Sequence, residues 1–232
     1  MPVGHSLSKQ YFEQQGFVAA DYRLQPMPTL EGLRAWVRRE AIAGFNVTAP
    51  HKEAIVPLLD ALSDEAAAIG AVNCVLVEAG RLTGHNTDAH AFAATLPCGQ
   101  QWDVAAVLGS GGASRAVCHA LRSLQVPLLV ASRTPAMHPG TVAYDEVRQA
   151  LQHAARPLLV NATPVGTTPD TSGCPWPWVD ELHAGCTVYD LVYNPRQTTL
   201  LRLAAACGAQ TQNGLAMLHR QAELSWRLWG LL

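Results

Sequence analysis

The sequence predicts an α/β protein in which parallel strands alternate with helices. Short apolar runs of strand length are followed by segments whose apolar residues recur at helical spacing. The clearest unit begins with the apolar run 104–108, passes through a glycine-rich turn into a helical pattern, and ends with a second run at 126–131. A chain of 232 residues can form one large domain or two modest ones, so it can bury a core of ordinary size.

Composition and charge exclude several function classes. The formal net charge is -2 and no block of like charges occurs, so we expect neither a nucleic acid nor a membrane surface as partner. The chain shows no basic segment followed by an apolar stretch, and no apolar run reaches the roughly 18 residues of a spanning helix. The six cysteines form no Cys-x-x-Cys pair and are interpreted as reduced thiols, mostly in the core. We therefore expect a cytoplasmic protein, either a monomer or a homodimer.

The glycine-rich turn meets the requirements of a dinucleotide-binding fingerprint. Gly109 permits the tight bend after the strand, and Gly111 lets the backbone approach a pyrophosphate. A helix from about Ser114, with one apolar face through residue 124, would direct free N–H groups at the anion. Ser114 stands where the fingerprint has glycine or alanine, but the flanking strand and helix favour cofactor binding over a plain tight turn. The residues expected to bind the cofactor here are Gly109, Ser110, Gly111, Gly112 and Ala113.

The end of the second strand indicates which dinucleotide binds. NAD-binding folds usually carry an acid there for the ribose 2′-OH, whereas an arginine suits the 2′-phosphate of NADP. This chain has Ser132-Arg133-Thr134 at that place. We predict NADP, with Arg133 beside the 2′-phosphate and the two hydroxyls assisting.

The remaining segments extend the same pattern. Residues 158–161 and 187–191 are predicted strands that end in polar or turn residues, as strands do where such sheets open onto a ligand. The stretch 163–178, rich in proline and glycine, is predicted to be a surface loop. After Asn213, an expected helix N-cap, apolar residues recur at helical spacing through residue 229. We expect this closing helix to pack on the first domain.

Ordered motifs along the chain resemble those of the shikimate dehydrogenase family. The resemblance includes a serine-containing N-terminal turn, a loop that carries Lys52, and an aspartate motif that contains Asp88. It runs from residue 2 to about residue 229. The matching segments are residues 4–8, 46–52, 70–73, 86–88, 109–116, 161–164, 190–195 and 214–222.

The family resemblance implies both an architecture and a reaction. Residues 1–89 with 215–232 would form a substrate-binding α/β domain, and residues 90–214 a Rossmann-like NADP-binding domain. The reaction would be the reversible NADPH-dependent reduction of 3-dehydroshikimate to shikimate, in the biosynthesis of chorismate and aromatic amino acids. The closing helix would return to the substrate-binding domain.

A lysine and a carboxylate suit this reaction on chemical grounds. A ketone that accepts hydride at carbon must gain a proton at oxygen, and an ammonium within hydrogen-bond reach can donate it. Lys52 is the candidate, and Asp88 would hold it charged and oriented as well as contact a substrate hydroxyl. Which of these two groups moves the proton stays open.

The other site residues follow from the resemblance. Neutral donors and acceptors match a hydroxyl-rich carboxylate without the cost of burying more charge. Gln221 lies within or beside the apolar face of the closing helix, where its amide needs a partner. Outside the family context the serines could form a turn, and Thr48 and Asn73 could be a strand and a turn residue. The resemblance implies Ser6, Ser8 and Tyr193 for the substrate carboxylate, Thr48, Asn73 and Gln221 for the ring hydroxyls, and Leu191 and Gly214 beside the nicotinamide.

Two alternatives and three departures accompany this interpretation. The substrate could be quinate or a related cyclohexane carboxylate, with NADP or NAD, or the chain could be a non-catalytic NADP-binding member of the family. Family members usually begin with a strand before the turn at residues 4–6, so we expect that strand to be missing. Residues 135–137 lack a second basic residue often found there, so we expect a weaker NADP preference. Residue 91 is alanine where the aspartate motif commonly continues with glycine.

No cysteine and histidine cluster forms, so we expect no metal.

Overall fold

The computed structural model describes residues 7–17 and 20–232, which form two compact units. The first unit contains the described residues up to Ala91 together with Leu218–Leu232, and the second contains Phe92–Met217. These divisions lie two and three residues beyond the expected ones, which fell after residues 89 and 214. Ser6 and the strand expected to be missing before it lie outside the described residues.

The first unit is built on a mixed sheet. Its strands are β1 (Gly44–Asn46), β2 (Ala61–Leu62), β3 (Cys74–Glu78) and β4 (Arg81–His85), in the spatial order β1-β3-β4-β2. Strand β3 pairs antiparallel with β1 and β4, whereas β2 pairs parallel with β4. The helices before and between these strands are α1 (Ser8–Gln14), α2 (Leu33–Arg39), α3 (His51–Ala54) and α4 (Asp64–Ile69). Apolar residues of α2 pack with those of β3 and β4 in one buried cluster.

Helix α5 (Asp88–Thr95) leads into the second unit, whose sheet is entirely parallel. The strands are β5 (Val104–Leu108), β6 (Leu128–Ala131), β7 (Pro157–Asn161), β8 (Thr187–Asp190) and β9 (Gln210–Asn213), in the spatial order β6-β5-β7-β8-β9. The helices between these strands are α6 (Gly112–Ser123), α7 (Tyr144–Gln152) and α8 (Thr199–Ala206). All residues of β7 are buried, as expected for a central parallel strand covered on both faces. The predicted α/β class with a Rossmann-like unit is confirmed.

The ends of one helix, the start of one strand and the burial of one loop differ from the predictions. Helix α6 begins at Gly112 rather than about Ser114, and Leu124, predicted on its apolar face, lies beyond its end and is 50% exposed. Strand β6 begins at Leu128 because the Val126 N–H donates to the Leu121 carbonyl at the helix end, and the following proline has no N–H. The stretch 163–178 contains neither helix nor strand, as predicted, but Trp176 within it is buried in the core. That loop is therefore not confined to the surface.

The last helix, α9 (Leu215–Leu228), returns to the first unit as predicted. Its Trp226 is buried with Phe12 of α1 in a small aromatic cluster. The indole N–H of Trp229 donates to the Val75 carbonyl of β3 at 3.1 Å. Asn213 accepts a hydrogen bond from the Leu215 N–H at 3.1 Å, which is the expected capping contact.

The thiols and the helices bear on two further predictions. All six cysteines are free, but Cys98 is exposed and is therefore not core filler. Cys74 is buried in the first unit, where burial raises the pKa of its thiol to about 12. None of the helices in residues 7–17 and 20–232 is both long and apolar enough to cross a membrane.

Candidate active site

The centre of the candidate site is an ion pair in the first unit. The Lys52 Nζ atom lies 2.6 Å from the Asp88 Oδ2 atom, and the two side chains are 17% and 6% exposed. Lys52 lies on α3, and its carbonyl accepts a hydrogen bond from the Val72 N–H at 2.8 Å, which anchors the helix beside β3. Because solvent screens this pair only slightly, the two charges hold each other in a defined orientation.

Two asparagine side chains hold Asp88 in place. Asn73 Nδ2 donates to Asp88 Oδ1 at 2.8 Å and to Thr87 Oγ1 at 2.9 Å, while its Oδ1 accepts the Thr87 N–H at 2.7 Å. Asn86 Oδ1 accepts the N–H groups of Asp88 and Ala89 at 3.1 and 3.3 Å, and so caps the start of α5. Each carboxylate oxygen of Asp88 therefore has a donor within the protein.

Helix α9 completes this network from the other side. Thr87 Oγ1 and Ser225 Oγ both donate to the Gln221 carbonyl, at 3.1 and 2.9 Å. The Gln221 side chain donates to the Leu218 carbonyl at 2.9 Å, and its Oε1 lies 3.4 Å from Asn73 Nδ2. Both ends of the amide thus have a partner inside the protein, and the longer contact at Oε1 is shared with two closer acceptors of Asn73 Nδ2.

The turn after β5 fits a phosphate-bearing ligand. Gly109 has φ +107°, in the region that favours glycine, and a Cβ there would lie 3.0 Å from Thr163 Cγ2. A Cβ at Gly111 would meet nothing within 4 Å, so the backbone faces open space there. Helix α6 begins at Gly112 with no side chain capping its first N–H groups. Exposed N–H groups beside an open backbone are what a pyrophosphate requires.

Strand β6 ends in the residues predicted to select the cofactor. Ser132 is buried, and its hydroxyl accepts the Thr134 N–H at 3.2 Å, so this side chain shapes the turn. Arg133 and Thr134 are exposed. Burial raises the pKa of the Tyr144 phenol, and the positive charge of the nearby Arg133 opposes that shift. The charge of Arg133 is therefore felt at Tyr144, which packs against the core of the second unit.

The ends of β8 and β9 approach each other closely. The Gly214 N–H donates to the Val192 carbonyl at 3.2 Å. A Cβ on Gly214 would lie 2.6 Å from the carbonyl carbon of Leu191 and closer still to its oxygen. Only glycine fits at position 214, because any side chain there would collide with the backbone of Leu191. Tyr193 follows in the same segment and is half-buried.

Comparisons with known proteins agree with this geometry. Residues 1–75 match the model of the shikimate dehydrogenase substrate binding domain. The chain is 39% identical to the shikimate dehydrogenase (NADP(+)) of Salinibacter ruber, over 98% of this chain and 89% of that protein. This chain belongs to the shikimate dehydrogenase family.

Solved structures of shikimate dehydrogenase family members have the same fold. Shikimate 5-dehydrogenase from Thermus thermophilus, solved in complex with NADP(H) and shikimate, is 39% identical with a TM-score of 0.84, covering 100% of this chain and 91% of that one. Quinate dehydrogenase from Corynebacterium glutamicum, solved in complex with NAD, is 29% identical with a TM-score of 0.79, covering 99% of this chain and 91% of that one. The family therefore includes relatives named for each of the two substrates considered above.

The predicted substrate residues of this shikimate dehydrogenase family member differ in their surroundings. Lys52, Asp88, Asn73 and Gln221 form one connected network in the first unit. Thr48 stands apart from that network, in an exposed position after β1, where its carbonyl accepts the His51 N–H at 2.9 Å. It is thus not a strand residue. Ser8 is the first residue of α1, and Tyr193 belongs to the second unit.

Asn46 and Ser225 also contact the network, although neither was predicted as a site residue. Asn46 Nδ2 donates to Ser225 Oγ at 3.0 Å, and Asn46 Oδ1 accepts a hydrogen bond from the Tyr22 hydroxyl at 3.1 Å. These contacts join β1 to α9 beside the network of the ion pair. The available signals were the place of Asn46 at the start of the lysine motif and the spacing of Ser225 one helical turn after Gln221.

Proposed function

We propose that this chain is an NADP-dependent shikimate dehydrogenase that reversibly reduces 3-dehydroshikimate to shikimate. The observation that carries the proposal is the shielded ion pair of Lys52 and Asp88, 2.6 Å apart. It supplies a positioned ammonium, in a family member whose second unit offers a cradle for a dinucleotide. We assign NADP to the second unit, and the catalytic pair with most of the predicted substrate residues lies in the first.

Lys52 is the proposed proton donor. The chemistry that bound NADPH supplies is a hydride for the carbonyl carbon, which leaves the carbonyl oxygen in need of a proton. The Lys52 ammonium stabilises negative charge on that oxygen and donates the proton, and in the reverse direction it takes the proton back. Asp88 is the orienting group, because its two oxygens already accept from Lys52 and Asn73. Its remaining lone pairs are available to a substrate hydroxyl.

The substrate roles follow the family resemblance with one change of emphasis. Thr48 and Gln221 would bind ring hydroxyls, and Ser8 with Ser6 and Tyr193 would bind the carboxylate. Asn73 has a further task, because its amide N–H groups already serve Asp88 and Thr87. We propose that Asn73 mainly orients Asp88 and contacts the substrate through what remains of its hydrogen-bonding capacity.

The cofactor roles rest on the turn after β5 and on the ends of β6, β8 and β9. Residues 109–113 would hold the pyrophosphate at the start of α6. Ser132, Arg133 and Thr134 would form the 2′-phosphate site, with Arg133 supplying the charge. Leu191 and Gly214 would lie beside the nicotinamide, where the backbone of Leu191 leaves no room for a side chain on Gly214.

Replacing Arg133 with alanine should change cofactor preference. We expect the KM for NADP to rise about tenfold, as for one lost charge-assisted hydrogen bond, and the KM for NAD to change little. Initial rates of shikimate oxidation with each cofactor measure this. Arg122→Ala, at an exposed position on α6, is the matched control and should affect neither KM. An equal rise in both KM values for Arg133→Ala would contradict the assignment.

The proposed function is tested by offering two substrates and two cofactors in parallel. Shikimate or quinate is supplied with NADP or NAD, and reduced cofactor is followed by near-ultraviolet absorbance. Fastest turnover with shikimate and NADP supports the proposal. Fastest turnover in another combination corrects the substrate or the cofactor, and no turnover from folded protein favours the non-catalytic alternative.

We also propose that the protein works in the cytoplasm. Its six cysteines are free in the structure, and reducing compartments keep thiols in this state. Light scattering during size-exclusion chromatography would distinguish the two expected oligomeric states, monomer and homodimer.

A further inference from the structure

We propose that Asp190 is a positioning residue that holds the loops of the NADP cradle in register. It has no assigned role in binding or in proton transfer, and it lies wholly inside the second unit. The inference rests on the proposed function, because the cradle is the cofactor site assigned above. Asn161 and Thr198 are its partners in this task.

The Asp190 carboxyl group is completely buried and accepts three hydrogen bonds. It is 0% exposed at the end of β8. Its Oδ1 accepts from Asn161 Nδ2 at 2.8 Å and from the Val192 N–H at 3.0 Å, and its Oδ2 accepts from Thr198 Oγ1 at 2.6 Å. Burial raises the pKa of the Asp190 carboxyl, and the three donors act in the opposite direction.

Three hydrogen-bond donors surround the Asp190 carboxyl group. Thr198 Oγ1 already accepts the Leu201 N–H at 3.3 Å, as the N-cap of α8. Asn161 Oδ1 already accepts the N–H and the hydroxyl of Thr163, at 3.0 and 2.7 Å. Both neighbouring acceptors are therefore engaged, and all three contacts to Asp190 come from donors. Asp190 is therefore the acceptor that these three groups share.

One arm of this arrangement leads to the nicotinamide side of the cradle. By binding the Val192 N–H, Asp190 sets the turn that follows β8 and includes Leu191. The Val192 carbonyl accepts the Gly214 N–H at 3.2 Å, and the Leu191 carbonyl is in contact with Gly214. The carboxylate thus determines where Leu191 and Gly214 lie.

The other arm leads to the pyrophosphate side. The amide that binds Asp190 belongs to Asn161, whose oxygen holds Thr163. The methyl group of Thr163 lies where it would be 3.0 Å from a Cβ on Gly109, so it packs against the glycine turn. A single pair, Asp190 with Asn161, therefore connects the ends of β5, β7, β8 and β9.

This role explains why an ionisable group is kept in the core. Replacing a buried ionic group with a well-packed apolar one is often neutral or stabilising, so stability alone does not require Asp190. An apolar side chain would leave the Val192 N–H and the Thr198 hydroxyl without this acceptor, and the Asn161 amide with only its longer contact to the Val165 carbonyl at 3.4 Å. The loops that they belong to would then lose their common anchor.

The test compares Asp190→Asn, Thr198→Val and Thr198→Ser in the full chain. NADPH binding is measured by fluorescence titration without substrate, and kcat and KM by shikimate oxidation. For Asp190→Asn we expect about a tenfold rise in the NADPH dissociation constant, and about threefold for Thr198→Val. Thr198→Ser keeps the hydroxyl and should bind NADPH as the unaltered protein does. In both weakened variants kcat at saturating cofactor should fall less than KM rises.

A merely structural role gives a different pattern. Asp190→Asn and Thr198→Val would then lower the thermal midpoint and the active fraction, with unchanged NADPH affinity, and this result would overturn the inference. If Asp190→Asn does not fold, the comparison of Thr198→Val with Thr198→Ser decides the question. The proposed function fails separately: unaltered protein that binds NADPH but oxidises no shikimate refutes that function, while weakened binding in the variants still supports the positioning role.

Discussion

Replacing Lys52 with methionine is expected to lower kcat for shikimate oxidation by about a thousandfold while NADPH binding is retained. Methionine keeps much of the length and apolar volume of lysine but cannot donate a proton or stabilise negative charge on the carbonyl oxygen. It also leaves Asp88 without its cation, so the free energy of unfolding should fall by up to about 3 kcal/mol. Steady-state rates, NADPH fluorescence titration and thermal unfolding measure the three effects.

The sequence offers a matched control for this variant. Lys9 is the other lysine of the chain, and its side chain is 46% exposed beside Glu13 on α1. Lys9→Met should leave kcat, cofactor binding and the thermal midpoint unchanged. Asp88→Asn shows which group moves the proton, because it keeps an acceptor for Asn73. Turnover that survives in Asp88→Asn would assign the proton to Lys52, and turnover retained in Lys52→Met would contradict the mechanism.

Replacing Gly214 with alanine is expected to give the second large effect. The added Cβ would lie 2.6 Å from the Leu191 carbonyl carbon and 3.0 Å from its Cα, and these are backbone atoms that cannot rotate away. The pairing of Asp190 with Asn213 and the hydrogen bond from Gly214 to Val192 hold both segments in place. We expect the free energy of unfolding to fall by about 2 kcal/mol and the NADPH dissociation constant to rise at least about tenfold.

Gly111→Ala provides the comparison for Gly214→Ala. Its Cβ would meet nothing within 4 Å, and its φ of -86° suits any residue. Its thermal midpoint should therefore match that of the unaltered protein, although NADPH binding should weaken if the pyrophosphate occupies that space. Circular dichroism during heating separates the two variants. A Gly214→Ala protein that melts and binds NADPH normally would show that the close backbone contact does not constrain the site.

Local patterns in the sequence predicted the second unit well, because its strands and helices follow clear periodicities. The failures lie where the usual end signals are absent. Helix α6 ends at Ser123, and Gln125, rather than glycine, adopts the left-handed conformation beyond it, with φ 59°. Without a glycine to mark the stop, the apolar pattern continued to Leu124, which is half exposed.

The candidate site shows the same division between local and long-range information. Lys52 and Asp88 lie in separate sequence motifs, and the chemistry of the reaction predicts both residues and their pairing. The contact of Asn73 with Gln221 spans 148 positions in sequence and depends on how α9 packs. The position of Gln221 on its helix indicates that its amide needs a partner. Periodicity alone does not show which distant group provides that partner.

The division of the first unit has a consequence for how the protein is made. Leu218–Leu232, which complete that unit, follow Phe92–Met217 in the chain. All residues of the second unit are therefore translated before Trp226 can contact Phe12 or Gln221 can contact Asn73. Until then the nascent first unit carries an uncovered apolar surface, and the lysine and aspartate motifs have been translated without their supporting helix. The catalytic network can therefore form only after the whole second unit has been synthesised.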